Sequence, residues 1–219
     1  MGQLNQAINI KNVLDFYEIE NFVETGTGIG EVVSDISSIK SDLNVHTIEI
    51  EPKLYDRNKI NLSYLKNVNF HLGESAQVLP NIIDKLNGVT LFWFDAHFPG
   101  ADFGLSSYGD EKDINKRLPL KNELEIAKSG KDITNDVIVI DDLRIYEDGP
   151  FEFGNWSERS KYGSEGLVEV VEELFGETHY VIKSYNAQGF IILLPLKKDI
   201  EDESLDLVVG SLGWWIRKY

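Results

Sequence analysis

The sequence predicts an α/β fold: a doubly wound, mostly parallel sheet that ends in a C-terminal antiparallel hairpin. Three observations lead there. Five short apolar runs recur at the spacing of βα units, "NFVET" (21–25), "NVHTIEI" (44–50), "VNFHLG" (68–73), "VTLFWFDA" (89–96) and "DVIVIDDL" (136–143). Most of them lack polar alternation, as expected of strands covered by helices on both faces. Helical periodicity fills the intervals 29–40, 52–65, 75–87 and 119–129. Finally, "THYVIKSYNAQGFIILLPL" (178–196) reads as two strands around the turn "NAQG", which places a hairpin at the sheet edge.

Taken in order, residues 1–20 form an N-terminal helical extension ahead of the first strand. Pro52 suits the first turn of the helix that follows the second strand. "GSEGLVEVVEELFGE" (163–177) is a further amphipathic helix, closed by Gly176. Residues 197–219 form a tail whose "SLGWWIRKY" is too apolar to stay in water. It is expected to dock on its own domain or on a second subunit, so a homo-oligomer is one expectation. Segments 97–118 and 144–162 show no periodicity; loops of that length in a compact domain are functional or disordered. No linker or internal repeat interrupts the chain, so 1–219 reads as a single domain.

Composition narrows the partners. Of 219 residues, 37 are acidic and 21 basic, a formal net charge of −16. That charge repels phosphate backbones and anionic lipid, so neither nucleic acid nor membrane is expected as a partner. No cysteine occurs, which excludes disulfides and thiolate metal ligands. The opening "MGQLNQAINIKNVLDF" lacks the basic start and apolar core of a secretory signal. No apolar run reaches the ~18 residues of a membrane span, and a soluble cytoplasmic protein is expected.

The motifs lie where the strands end. "VETGTGIG" places Glu24, Thr25, Gly26, Gly28 and Gly30 between the first strand and the first helix. Bare backbone there, with helix N–H groups beyond it, suits close approach of a nucleotide-like ligand, although a tight turn alone would use the same glycines. The dinucleotide fingerprint needs its third glycine one residue later, which disfavours NAD. Glu24 at the strand end would repel a pyrophosphate and pair with an ammonium group. Glu49 ends the second strand, where α/β nucleotide sites place an acid on the ribose hydroxyls. Gly73, Glu74 and Ser75 end the third strand, in a position to flank a base.

These motifs resemble those of the class I S-adenosylmethionine-dependent methyltransferases, with "VETGTGIG" as their E/D-x-G-x-G-x-G turn and "TIEIEP" as the acid after strand two. The resemblance covers about residues 20–196 and implies their Rossmann-like fold and S-adenosylmethionine as the cofactor. Glu24, Thr25, Gly26, Gly28, Gly30, Glu49, Gly73, Glu74, Ser75 and Asp95 are then the expected cofactor-binding residues. Three further acids, Asp95 in "FWFDAH" and Asp141 and Asp142 in "VIVIDDL", end strands four and five. Hard oxygen ligands in that number suit Mg²⁺. The set is similar to the metal site of catechol-type and sugar O-methyltransferases, which implies Asp95, Asp141 and Asp142 as ligands of Mg²⁺ or another divalent cation. Catechol-type enzymes carry a lysine shortly after the strand-four Asp, and "DAHFPGADFG" has none. His97 stands nearby as the expected base, with Asp95 as its catalytic neighbour and Asp102 and Arg144 as further candidates.

The expected activity is therefore methyl transfer from S-adenosylmethionine to a hydroxyl of a small molecule or sugar, assisted by Mg²⁺. Two alternatives stand beside it: a metal-free methyltransferase on another acceptor, and a non-catalytic nucleotide-binding module of the same fold. "YEDGPFEFGNW" adds Tyr146, Phe151, Phe153 and Trp156 as side chains that either stack on an acceptor or pack the loop onto the domain.

Overall fold

In the computed structural model of the chain, residues 4–164, 166–200, 206–209 and 215–217 are described. Two short helices, α1 (Leu4–Ala7) and α2 (Ile10–Phe16), precede β1 (Asn21–Thr25). The βα units continue with α3 (Glu31–Ile39), β2 (Asn44–Glu49), α4 (Pro52–Asn61), β3 (Val68–Leu72), α5 (Ser75–Ile83) and β4 (Thr90–Phe94). Then follow α6 (Ile114–Arg117), α7 (Leu120–Gly130), β5 (Val137–Ile140), α8 (Arg159–Tyr162), α9 (Leu167–Phe175), β6 (His179–Ser184), β7 (Phe190–Pro195) and β8 (Trp215–Arg217). No helix among the described residues is long and apolar enough to cross a membrane.

The strands form one sheet in the order β3-β2-β1-β4-β5-β7-β6-β8. The first five run parallel, and β7 enters antiparallel between β5 and β6. Each central strand feeds two cores by simple alternation. Phe22, Leu91, Trp93, Val137 and Val139 face one cluster, packed by α1, α2 and α3. Their neighbours Val23, Phe92, Phe94, Ile138 and Ile140 face the other, packed by α5, α7 and α9. Both faces are dry, which is why these runs carry no polar alternation.

Two expectations change. The hairpin is not the sheet edge, because β8 pairs antiparallel with β6 and lies outside it. Of the tail, Leu207 and Val208 are buried with the α1 and α2 residues, and Val208 bridges Ile8. These parts dock on the chain's own fold, whereas 201–205, 210–214 and 218–219 lie outside the described residues. The strand ends also come earlier than the apolar runs suggest. β4 stops at Phe94 and β5 at Ile140, so Asp95, Asp141 and Asp142 sit just past the sheet. Winding reverses between β1 and β4, and open α/β sheets bind ligands at the carboxyl ends of strands beside such a point.

Candidate active site

The chain leaves β1 through a turn whose glycines serve different contacts. Gly26 has φ 84°, and a Cβ there would lie 2.6 Å from the Asp95 carbonyl oxygen. The turn is thus pressed against the end of β4, so this glycine is required by packing. Gly28 has φ 55° and faces the crevice, where its N–H donates to Glu49 Oε2 at 2.9 Å. The Glu51 N–H donates to Oε1 of the same side chain at 2.8 Å. Glu49 therefore clamps the glycine turn to the end of β2, and each oxygen keeps a lone pair for a ligand hydroxyl. Burial raises its pKa, and the backbone donors offset part of that rise.

Glu24 behaves differently from its expected role as a bare anion. It is buried and accepts from Thr47 Oγ1, which also meets Thr27 Oγ1. Burial pushes its pKa up to about 8, with the Thr47 hydroxyl lowering it and Glu49 raising it. At neutral pH it is mostly protonated, and a nearby cation would be needed to ionise it. At the end of β3, Ser75 is buried, and Glu74 pairs with Lys116 at 3.2 Å and accepts from Gln77 at 2.8 Å.

The acids past β4 and β5 gather around His97. Its Nδ1 lies 3.6 Å from Asp95, and its Nε2 lies 3.5 Å from Asp102 and 3.3 Å from Asp142. Asp142 has φ 53°, a left-handed backbone that an aspartate tolerates, and it also accepts from Arg144 Nε at 3.0 Å. Burial alone would lower the pKa of His97, but Asp102, Asp142 and Asp95 outweigh it and hold the imidazole well above its ordinary value. The resting group is an imidazolium.

Asp141 lies deeper. Its Oδ1 is 3.5 Å from Gln188 Nε2, and its Oδ2 is buried without a hydrogen-bond partner. Burial and the repulsion of neighbouring aspartates raise the pKa of both Asp95 and Asp141, so the pair holds a proton at neutral pH. Among the described residues no group of three or more His, Asp and Glu side chains is arranged to hold a metal ion. The expected ligand set of Asp95, Asp141 and Asp142 is thus not formed. Asp142 is turned to His97 and Arg144, and Asp141 is buried and does not line the crevice.

One crevice at the carboxyl ends of β1, β2, β3 and β4 collects most of the expected residues. Glu24, Gly26, Gly28 and Glu49 line one side, Gly73, Glu74 and Ser75 another, and Asp95, His97 and Asp142 a third. Thr25, Gly30 and Asp141 do not line it. Of the four loop aromatics, only Trp156 does. Tyr146 and Phe151 are buried in the core and Phe153 is exposed, so those three pack or solvate the loop. Trp156 joins Phe98 and Tyr108, with ring centroids 5.1–5.4 Å apart, and this trio ties segment 97–118 to segment 144–162. Sequence reasoning missed Phe98, Tyr108, Gln188 and the ring of Phe103. All four owe their positions to contacts between distant segments, and no local pattern marks them.

No protein-family model matches the chain, and no curated protein matches it. Solved structures do. A putative caffeoyl-CoA O-methyltransferase from Staphylococcus aureus superposes with a TM-score of 0.55 at 16% identity, over 89% of this chain and 84% of that one. An S-adenosylhomocysteine-bound methyltransferase from Podospora anserina gives 0.56 at 13% identity, over 87% and 76%. The O-methyltransferase TomG of Streptomyces achromogenes, involved in tomaymycin synthesis and solved with S-adenosylmethionine, gives 0.52 at 16%, over 85% and 77%. The chain has the fold of the class I S-adenosylmethionine-dependent methyltransferases.

Proposed function

We propose that the crevice binds S-adenosylmethionine and that the protein transfers its methyl group to a hydroxyl oxygen of a small molecule or sugar. The observation that carries this reading is the single crevice at the switch point, where a glycine turn clamped by Glu49 faces the charged cluster around His97. The bound cofactors of the Podospora and Streptomyces neighbours support the ligand, and the O-methyltransferase neighbours support oxygen as the acceptor atom. The residues fit such a cofactor: Glu49 retains lone pairs for ribose hydroxyls, and Gly28 brings no side chain of its own to the crevice. S-adenosylmethionine supplies an electrophilic methyl on a positively charged sulfur. Every other part belongs to the chain. The turn and Glu49 orient, the acidic walls favour a cationic ligand, and the loops bearing Phe98, Tyr108 and Trp156 limit water around the acceptor.

An acceptor hydroxyl must lose its proton, and His97 is the titratable group best placed to take it. Because the surrounding aspartates hold it as imidazolium, it becomes a base only on the alkaline side of its ordinary range. The Mg²⁺ implied by the sequence resemblance is given no step here, since Asp142 is engaged by His97 and Arg144 and burial leaves Asp95 and Asp141 sharing a proton at neutral pH. Turnover is expected to survive exhaustive chelation, and its loss would return the metal to the reaction. Calorimetry with S-adenosylhomocysteine tests the cofactor, and label transfer from S-adenosylmethionine to panels of phenols and sugars tests the acceptor. Absence of binding would overturn the first claim, and label found only on nitrogen or carbon the second.

A further inference from the structure

Gly28 has no side chain, yet the place of one is filled. A ring carbon of Phe103 lies 2.8 Å from where a Cβ on Gly28 would stand. Phe103 and Gly28 both line the crevice, and Phe103 is half-buried. The ring comes from another loop and covers the glycine turn as a residue at position 28 would.

The segment that carries it is built to move as a unit. Phe103 ends the 3-10 turn Ala101–Phe103, which lies between Gly100 at φ 70° and Gly104 at φ 67°. The backbone bonds of that turn stay local. Phe103 N–H donates to the Gly100 carbonyl at 3.3 Å, Gly104 N–H to Ala101 at 3.1 Å and Leu105 N–H to Gly100 at 3.0 Å. The side-chain bonds are from Ser106 Oγ to the Pro99 carbonyl and from Tyr108 to Asp102, and the one contact to the charged cluster that a swing would open is Asp102 with His97 Nε2 at 3.5 Å. Around it the chain is anchored by Phe98, which is buried in the aromatic trio and whose N–H donates to the Arg117 carbonyl at 2.8 Å. A Cβ at Gly104 would meet nothing within 4 Å. The turn can therefore swing without breaking a sheet bond, and segments held this way open at low cost.

The volume favours a swing. The crevice offers about 180 Å³, against the roughly 300–1,000 Å³ of ordinary small-molecule sites. A ligand of nucleoside size would need more room along the glycine turn than the crevice offers with Phe103 in place. Phe103 is the lining group that both touches that turn and rides on a hinged segment.

We infer that Phe103 is the gate of the cofactor crevice. It rests on Gly28 when closed, swings out with Ala101–Phe103 to admit the cofactor, and returns as its apolar cover. This rests on the cofactor reading above and assigns Phe103 a positioning role that no motif marks.

A gate makes exchange rates depend on the size of the side chain at 103. Stopped-flow mixing with S-adenosylhomocysteine, read by intrinsic tryptophan fluorescence, should show Phe103→Ala associating and dissociating about tenfold faster than the unaltered protein, a barrier change of the size expected for losing one ring contact. Phe103→Trp should be slower in both directions, with the equilibrium affinity changing less than either rate. Leu105→Ala, on the same loop but exposed and not lining the crevice, should leave both rates unchanged. Equal rates at all three sizes of residue 103, or an equal effect of Leu105→Ala, would overturn the gate while leaving the cofactor reading intact. If the unaltered protein does not bind S-adenosylhomocysteine in calorimetry, the cofactor reading fails and the gate falls with it.

Discussion

Glu49→Gln is a near-isosteric change that the structure makes far from neutral. Both carboxylate oxygens accept from backbone, Oε2 from Gly28 at 2.9 Å and Oε1 from Glu51 at 2.8 Å. An amide can offer an oxygen to only one of them, so its NH₂ faces the other N–H. A part-buried donor left without a partner costs about 1–3 kcal/mol. The neutral amide is cheaper to bury than the carboxylate, whose pKa burial already raises, so the net cost should fall in the lower half of that range. For a chain of this size about 1–2 kcal/mol corresponds to a fall of roughly 2–8 °C in melting temperature. If Glu49 holds the ribose as proposed, the same substitution removes an acceptor for its hydroxyls, and affinity for S-adenosylhomocysteine should drop about tenfold, which is 1.4 kcal/mol. Thermal unfolding and calorimetry on one preparation read both numbers. A lower melting temperature with unchanged affinity would leave Glu49 as a clamp of the turn alone, and no change in either would refute the hydrogen-bond argument.

Gly26→Ala should abolish cofactor binding and lower stability by well over the ~1 kcal/mol of φ strain alone, because its Cβ would strike the Asp95 backbone at 2.6 Å. Gly104→Ala, with open space around it, should cost only that strain; similar melting temperatures for the two variants would contradict this. If His97 takes the acceptor proton, turnover should rise with pH to values well above 6.5, since its aspartates favour the imidazolium. His97→Gln should then lose roughly 10²–10⁴-fold in turnover together with that pH dependence. Glu123 is fully buried, both its oxygens lack hydrogen-bond partners, and burial raises its pKa from 4.5 to about 7 against the smaller effects of Ser75, Thr25 and His97. The folded state then binds the extra proton between those values, so stability is full below the lower one, falls by up to about 3 kcal/mol as pH rises to the upper one, and stays flat beyond it. Melting curves from pH 4.5 to 8 should show a smaller decline in Glu123→Gln than in the unaltered protein, the remainder belonging to Glu24, Asp95 and Asp141, whose pKa values burial also raises; equal declines in the two proteins would remove Glu123 from the account.

The parallel core was legible because its signal is local. Strands dry on both faces are apolar along their length, as β4 and β5 are, and the rest of the seven placed strands were found from shorter apolar runs and turn residues, even β3, which is half-exposed. Their ends were less legible, since "FWFDA" and "VIVIDDL" give no sign of where pairing stops. The strands end at Phe94 and Ile140, although Asp95 N–H and Asp141 N–H still donate to Thr25 and Phe94 of the neighbouring strands, and the chain turns away only at Asp142 in its left-handed conformation. β8 escaped notice because three residues at Trp215–Arg217 become a strand only through the open side of β6. Segments 97–118 and 144–162 lack periodicity for a related reason. They are organised by ring contacts of Phe98, Tyr108 and Trp156 across some fifty residues of chain, together with single turns of helix too short to leave a pattern.

At the crevice, residue type was readable and ionisation was not. Three aspartates at adjacent strand ends invite the reading of one metal-binding set, because each is counted as a full negative charge with free lone pairs. Burial removes that equality. Asp95 and Asp141 hold a proton between them, Asp142 is divided between His97 and Arg144, and Glu24 is protonated up to about pH 8. Two of the seven carboxyl groups that line the site, Glu24 and Asp95, thus carry less charge than the composition suggests. Asp102 shows the opposite case: His97 and the Tyr108 hydroxyl hold it below its ordinary range against the opposing effect of burial. On the cofactor reading proposed above, a sulfonium or ammonium brought beside Glu24 and Asp95 would ionise groups that are neutral at rest, so that positive charge on the ligand would create the negative charge that binds it.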